Sequence, residues 1–361
     1  LQPIFSFKCR GAYNKISSLS SIDTDKGIIA ASAGNHAQGV ALSASKLRID
    51  AMIVMPTTTP SIKIESVKKF GVKVKLYGDS FDEAYEYALE VSNNEGRVFI
   101  HPFDDPLVIA GQGTVAKEIV EQSEEAPDIF FIPVGGGGLI SGMSMYLKEH
   151  YPNIKVYGVE SEDAPTLFTS LRNGKPTSLD QVGLFVDGCA VKRIGEETFR
   201  ISKKYVDDVI LVSIDETCAA IKDIYEDTRV MSEPAGALSI AGMKKFIANN
   251  NVKNKKIMAV NSGANLNFDR LRHVTERAEI GEGKELLISV KIPEESGSFR
   301  KFCEVIGKRS ISEFNYRYAN EKSANVFVGI KTDNIEKDTK CIFDDLKENK
   351  YNFIDLTQDE V

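Results

Sequence analysis

Four consecutive glycines, Gly135, Gly136, Gly137 and Gly138, stand in the run VGGGGLISG (134–142), directly after the apolar stretch DIFFIP and at the start of a helical pattern. Backbone without Cβ atoms can turn several amides into one concavity, and a helix N-terminus at that place favours an anion. A phosphate suits such a cradle. The run matches neither the Gly-x-x-x-x-Gly-Lys-Ser/Thr loop nor a Gly-x-Gly-x-x-Gly fingerprint followed by an acidic ribose ligand, which weakens nucleotide and dinucleotide readings. A bare strand-to-helix turn without a ligand is the plain alternative. A second turn, ASAGNHAQG (31–39), also falls between a strand and a helix, and its Asn35 carries both a donor and an acceptor for a planar ligand. Asn35 and Gly34 would otherwise only make the turn and cap the helix. Lys8 lies in SFKCRGA with Ile4, Phe5, Phe7 and Cys9 around it. Lone lysines are ordinarily surface charge, but an apolar run of this kind would bury the amine, lower its pKa and make it a nucleophile. Ser262, in NSGAN (261–265) after KIMAV, puts a hydroxyl at a strand end, where helix capping is the plain role.

Such turns can face one crevice if they follow different strands of open α/β sheets, whose ligands bind beyond the carboxyl ends of the strands. From Gly27 onward short β-branched runs alternate with amphipathic stretches: GIIAAS with HAQGVALSASKL, AMIVMP with PSIKIESVKKF, VKVKLY with FDEAYEYALEVS, and RVFIHP with GQGTVAKEIVEQ. Continuous apolar strands, each followed by a helix, predict parallel sheet covered on both faces. The rhythm continues through DIFFIPV, GGLISGMSMYLKEH and IKVYGVE, loosens over 161–195, and returns at DDVILVS, a long helical region over 215–249, KIMAVNS and FDRLRHVTERA. AEIGEGKE (278–285) breaks the periodicity and is the candidate linker. Beyond it ELLISVKIP, SFRKFCEVIGK, two strands joined by ANEKSAN, DTKCIFDDLKENK and YNFIDLT follow the order βαββαβ of a small ferredoxin-like domain.

Composition sets outer limits. A length of 361 residues suggests two or three domains at roughly 150 residues each. With 45 Lys plus Arg against 52 Asp plus Glu the net charge is −7, which disfavours nucleic acid as a partner. No apolar run approaches the roughly 20 residues of a membrane span, so no membrane-spanning role is expected. The five cysteines, Cys9, Cys189, Cys218, Cys303 and Cys341, are scattered and odd in number, which points to a reducing compartment. Neither they nor the dispersed His36, His101, His150 and His273 show metal-ligand spacing, and no metal site is expected. The chain opens at Leu1 without an initiator Met or a signal-peptide pattern, so any targeting segment lies outside it.

Taken together, the motifs resemble the fold-type II enzymes dependent on pyridoxal 5′-phosphate, and within them the threonine dehydratases. The resemblance runs through LQPIFSFKCRGAYNKI, SAGNHAQGVA, VMPTTTPSIKIESVKKFG, IAGQGT, PVGGGGLISG, GLFVDGCAVKRIGEETF, EPAGALSIAGMKK and NSGANLNFDRLR, and it extends into the tail through PEESGSFRKFC and EFNYRYA. It implies two open, twisted, mainly parallel sheets of the tryptophan synthase β type within a catalytic region at 1–280, the small lobe covering roughly 27–105. An ACT-like regulatory domain follows at 285–361. By the same resemblance Lys8 binds the cofactor covalently and later takes the substrate Cα proton. Asn35 meets the ring hydroxyl, the amides of Gly135, Gly136, Gly137, Gly138 and Leu139 hold the phosphate, and Ser262 faces the pyridine nitrogen. The turn formed by Ser32, Ala33, Gly34, Asn35 and His36 would meet the substrate carboxylate. Serine racemases carry a serine where this chain has Ala33, so racemisation is disfavoured. Cys9 stands where relatives commonly carry an aliphatic residue, and a packing role is expected for it, with oxidation sensitivity as the alternative.

The implied reaction is β-elimination and deamination of L-threonine to 2-oxobutanoate and ammonia, the first step of isoleucine biosynthesis, with L-serine as a secondary substrate giving pyruvate. Isoleucine would be the feedback effector, and PEESGSF (293–299) the turn that meets it, unless Ser296 or Ser298 is only a helix cap. Family members of this type usually carry two such regulatory units, whereas the chain ends at Val361 after one, as though cut short at both ends. A homo-oligomer, dimer or tetramer, is implied. The compartment would be the cytoplasm for a bacterial source and a plastid or mitochondrion for a plant or fungal one. Two other readings remain open: a degradative serine/threonine dehydratase, and a catalytically dead amino-acid-binding chain.

Overall fold

The computed structural model describes residues 2–320 and 323–357, without the side chains of 318–320. The chain divides into two compact units, Leu1–Phe268 and Asp269–Val361. The first unit opens with α1 (Lys8–Ser17) and α2 (Ser21–Lys26), followed by β1 (Ile28–Ala31), α3 (Asn35–Leu47), β2 (Ala51–Met55), α4 (Ser61–Lys68), β3 (Lys73–Leu76), α5 (Phe81–Glu95) and β4 (Val98–Phe99). These strands form a parallel sheet in the order β3-β2-β1-β4. The chain then runs through α6 (Pro106–Gln122), β5 (Ile129–Pro133), α7 (Gly138–His150), β6 (Lys155–Ser161), α8 (Thr166–Asn173), α9 (Glu196–Tyr205), β7 (Asp208–Val212), α10 (Ile214–Thr228), α11 (Pro234–Asn249) and β8 (Ile257–Ala259). Its second parallel sheet has the order β7-β6-β5-β8.

The central strands IIAA and IFFIP are buried at every position, as a sheet covered on both faces requires. The edge strand KVKL departs from that expectation: Lys73, Lys75 and Leu76 are exposed, and the two lysines blunt an otherwise open edge. In each sheet the strand order reverses beside one strand, β1 in the first and β5 in the second, and crevices for ligands open at such points. The Asn35 turn follows β1, the four glycines follow β5, and NSGAN follows β8. Hence all three motifs lie at the carboxyl ends of strands beside a switch point.

Helix α1 sits against α3 and α6 at backbone distance. A Cβ on Gly111 of α6 would lie 2.7 Å from the Arg10 carbonyl oxygen, and one on Gly39 of α3 would lie 3.0 Å from the Lys8 carbonyl. The region over 215–249 is two helices, since α10 ends at Arg229 in the left-handed conformation (φ 59°) and Pro234 opens α11.

The second unit contains α12 (Leu271–Gly281), β9 (Glu285–Pro293), α13 (Ser298–Ile306), β10 (Ile311–Asn320), β11 (Ser323–Lys331), α14 (Ile335–Glu348) and β12 (Asn352–Asp355). Its antiparallel sheet has the order β10-β11-β9-β12, and after α12 the element order is the expected βαββαβ. Leu286, Ile288, Val290 and Ile292 alternate along β9 into a core with Phe302, Ile306, Ile342 and Leu346. The break in the candidate linker narrows to residues 282–284. Helix α12, placed by the sequence reading in the catalytic region, groups with the second unit, where Glu279 pairs with Lys331 at 3.1 Å and the Thr332 amide donates to the Lys284 carbonyl. Neither Ser296 nor Ser298 caps α13; its N-cap is Gly297 at φ 89°, a left-handed position that a serine would strain. In ANEKSAN, Glu321 and Lys322 lie outside the described residues.

Replacing Gly111 with Ala should force α1 off α6 and lower the unfolding free energy by about 1–3 kcal/mol, the usual cost of overpacking a tight contact. Urea unfolding of the two chains at equal concentration measures it, and an unchanged midpoint would show that α1 yields without strain.

Candidate active site

Two short stretches from the far ends of the first unit pair with each other and deliver Lys8. Ser6 and Gly263 form an antiparallel bridge, the Phe7 amide donates to the Ser262 carbonyl at 3.2 Å, and the Ala264 amide donates to the Phe5 carbonyl at 2.8 Å. Asn265 Nδ2 adds a bond to the Ile4 carbonyl at 2.7 Å. Lys8 therefore starts α1 beside the NSGAN turn. Its Nζ donates to the Pro102 carbonyl at 2.9 Å and lies 5.4 Å from the centre of the Phe7 ring. Burial lowers the amine from its ordinary value of 10.5 to about 8, against smaller upward pulls from Cys189 and Glu233. The apolar flank contributes less to this than its composition suggests. Ile4 is buried, but Phe5 is 47% exposed at φ 54°, because its backbone is committed to the NSGAN pairing. Cys9 is only half-buried, and its thiol points to Gln2 Oε1 at 3.5 Å and the Ser6 carbonyl at 3.7 Å rather than into a core.

Asn35 begins α3, but its side chain does not cap that helix. Its Nδ2 donates to Glu233 Oε1 at 2.7 Å and its Oδ1 accepts from Asn265 Nδ2 at 2.7 Å, so the amide plane is held from both sides. Glu233 is buried at the start of α11, and burial raises its carboxyl to about 7; the nearby Asp187 adds to the rise, while the bond from Asn35 opposes it. Ser262 is buried, and its hydroxyl donates to the Ala235 carbonyl at 3.3 Å; it caps no helix. Ser32 Oγ accepts from the Gly34 amide at 3.2 Å, while a Cβ on Gly34 would meet open space. The His36 ring is already committed: it is buried, Nε2 bonds the Ile100 carbonyl at 2.8 Å, and burial pushes its pKa down to about 3.

The four glycines connect β5 to α7. Gly137 is the N-cap of α7 at φ 89°. A Cβ on Gly136 would fall 2.2 Å from the Phe103 ring, and one on Gly135 would fall 2.9 Å from the Cys189 Cα. Two threonine hydroxyls bond the loop carbonyls, Thr198 to Gly136 at 2.8 Å and Thr166 to Gly135 at 3.3 Å. The amides of the first turn of α7 have no acceptor within their own helix, and amides so placed at a helix N-terminus suit an anion. Leu139 is buried in the core behind them.

The donor set fits a phosphate-bearing aromatic aldehyde: amides for the phosphate, an amine with depressed pKa for the aldehyde, and neutral Asn35 and Ser262 for the ring. Among the described residues no group of His, Cys, Asp and Glu is placed to hold a metal ion. Sequence reasoning brought Lys8, Asn35, Gly135–Leu139 and Ser262 forward, but missed Glu233, Asn265, Thr198 and the Pro102 carbonyl. A carboxylate inside the apolar run SEPAGALS was the available signal for Glu233. Backbone carbonyls leave none.

Residues 1–263 match the family described as pyridoxal-phosphate dependent enzyme, and residues 276–361 match the C-terminal regulatory domain of threonine dehydratase. The chain is 53% identical over its whole length to the biosynthetic L-threonine dehydratase of Pasteurella multocida, of which it spans 70%, and 49% identical to that of Escherichia coli, of which it also spans 70%. Among solved structures, the processed form of threonine deaminase isoform 2 from Solanum lycopersicum is 49% identical, with a TM-score of 0.75 over 77% of this chain and 80% of that one. The maize serine racemase is 33% identical, with a TM-score of 0.71 over 76% of this chain and 84% of that one. The chain therefore belongs to the pyridoxal-phosphate-dependent enzymes and, within them, to the biosynthetic threonine dehydratase family.

Proposed function

We propose that the chain is an L-threonine ammonia-lyase that converts L-threonine to 2-oxobutanoate and ammonia, with L-serine as a secondary substrate. One observation carries the reading: a lysine amine with its pKa drawn down to about 8 is held in the same unit as a glycine cradle whose carbonyls are occupied, on a chain similar end to end to threonine dehydratases. When bound, pyridoxal phosphate supplies an electron sink that makes the substrate Cα–H bond acidic. Lys8 contributes the amine that anchors it and the base that takes the Cα proton; an amine of pKa near 8 is deprotonated in a useful fraction at neutral pH. Asn35, braced between Glu233 and Asn265, would hold the cofactor ring. Ser262 would supply the ring nitrogen with a hydroxyl, which stabilises positive charge less than a carboxylate and so would favour loss of the β-hydroxyl as water over reprotonation at Cα. The released enamine then takes up water to give the oxo acid and ammonia.

We assign residues 1–268 to catalysis and the second unit to regulation, with isoleucine as the effector at the PEESGSF turn and a homo-oligomer, dimer or tetramer, as the working form. The tomato relative is chloroplastic and the yeast relative mitochondrial by name. For a chain of bacterial origin the cytoplasm is the compartment we propose. No helix among the described residues is long and apolar enough to cross a membrane.

Replacing Lys8 with Ala should abolish both threonine turnover, read as 2-oxo acid release, and the visible absorption of bound cofactor. Turnover that persists without an added amine would refute the assignment. In the cofactor-free protein, the rate of pyridoxal phosphate capture followed by absorbance should rise with pH through about 8, because the neutral amine forms above its pKa. A midpoint near 10.5 would place Lys8 in open solvent. Isoleucine added to the threonine assay should lower the rate, and an unchanged rate at saturating isoleucine would remove it as the effector.

A further inference from the structure

Five consecutive residues between β4 and α6, HPFDD (101–105), touch both Lys8 and the glycine loop. His101 Nδ1 accepts from the amides of Phe103 at 3.3 Å and Asp104 at 2.8 Å and so closes the turn. The Pro102 carbonyl takes the Lys8 amine, and the Phe103 ring fills the space in front of Gly136. Asp105 accepts from the Leu107 and Val108 amides at the start of α6 and pairs with Lys15 of α1 at 2.8 Å. Asp104 reaches in the other direction. Its carboxylate accepts from the amides of Glu196 at 3.0 Å, Glu197 at 3.0 Å and Thr198 at 3.1 Å, the first turn of α9.

Helix α9 has Gly195 as its N-cap and no cap side chain of its own, so its orphan amides depend on a residue far away in the chain. The fit is close: a Cβ on Gly195 would fall 2.3 Å from the Asp104 carboxyl. The third amide that Asp104 binds belongs to Thr198, whose hydroxyl donates to the Gly136 carbonyl and whose own carbonyl accepts from Ser141 Oγ of α7 at 2.9 Å. A continuous path thus leads from Asp104 through Thr198 to both the glycine loop and the helix behind it.

We propose that Asp104 is a positioning residue for the cofactor cradle: by capping α9 it sets Thr198, and through Thr198 the Gly136 carbonyl, so that the loop amides stay turned toward the anion. The proposal rests on the reading that this loop holds the cofactor phosphate. A cap that served only stability would shift the melting temperature without singling out the loop. Ser213, which caps α10 by accepting from the Glu216 amide at 3.1 Å and has no bond to the loop, is the matched control.

The experiment compares the full chain with Asp104→Ala, Asp104→Asn and Ser213→Ala, each prepared without cofactor. It measures pyridoxal phosphate affinity by absorbance titration and amide hydrogen exchange over residues 135–139. Asp104→Ala should weaken binding roughly ten-fold, the size of one lost cap, and speed exchange in the loop. Asp104→Asn keeps a capping acceptor and should recover most of the affinity, and Ser213→Ala should leave both readouts within roughly two-fold of the parent. Should Asp104→Ala not fold, Asp104→Ser, whose shorter reach spans fewer amides, carries the same comparison. Unchanged affinity and exchange in the Asp104 variants, or an equal loss in Ser213→Ala, would overturn the proposal. If the parent does not bind pyridoxal phosphate, the functional reading fails, and loop exchange in the cofactor-free variants alone decides whether Asp104 sets the loop.

Discussion

The short antiparallel pairing of residues 4–7 with 262–265 is the constraint on which the site depends. Lys8 sits on a helix at the very start of the unit, and Ser262 follows its last strand, so nothing local in sequence could place them side by side. Three hydrogen bonds and one bridge do so, and the pairing spends the backbone of Phe5 in a left-handed conformation with its ring in solvent. The glycines of α3 and α6 then let α1 settle at backbone distance, which leaves the Lys8 amine facing the Pro102 carbonyl.

Electrostatics in this crevice is arranged with few formal charges. The proposed anion cradle is made of amides at a helix N-terminus, whose partial charge favours phosphate without a lysine or arginine. Burial moves Lys8 and Glu233 toward neutrality from opposite sides, Lys8 down to about 8 and Glu233 up to about 7. Both can therefore exchange a proton at little cost near physiological pH. Two histidines behave differently, His36 falling to about 3 and the partly buried His101 to about 4 through desolvation, and they serve as neutral hydrogen-bond partners for backbone groups. The net charge of −7 therefore says nothing about affinity for an anionic cofactor.

Much of this was legible from residue order. Buried runs such as IIAA and IFFIP announce parallel strands, and glycines and turn residues directly after them mark the ligand crevice, because strand ends beside a switch point are where backbone amides and side chains converge. Alternation along ELLISVKIP likewise announced the antiparallel tail. Less visible were features made by tertiary contact. Asp104 reads as one acid in a polar turn until α9 arrives beneath it, and Glu233 looks out of place among apolar residues until Asn35 meets it. The helix break after Arg229 was hidden because polar residues of good helical propensity precede it, and only the left-handed arginine and Pro234 end the pattern. Assignment of α12 to the second unit depended on bonds to β11 that periodicity cannot reveal.

The pairing of 4–7 with 262–265 also has a meaning in time. During synthesis Lys8 emerges long before the NSGAN turn that clasps it. Lys8 must therefore wait, unclasped, while both parallel sheets are made, and the entropy of closing so long a loop is met only when the NSGAN turn appears. Slow, non-local topologies of this kind complete their most distant contacts late. An enzyme built this way cannot capture its aldehyde cofactor properly on a half-made chain, so a reactive amine is kept out of a finished site until the whole unit exists.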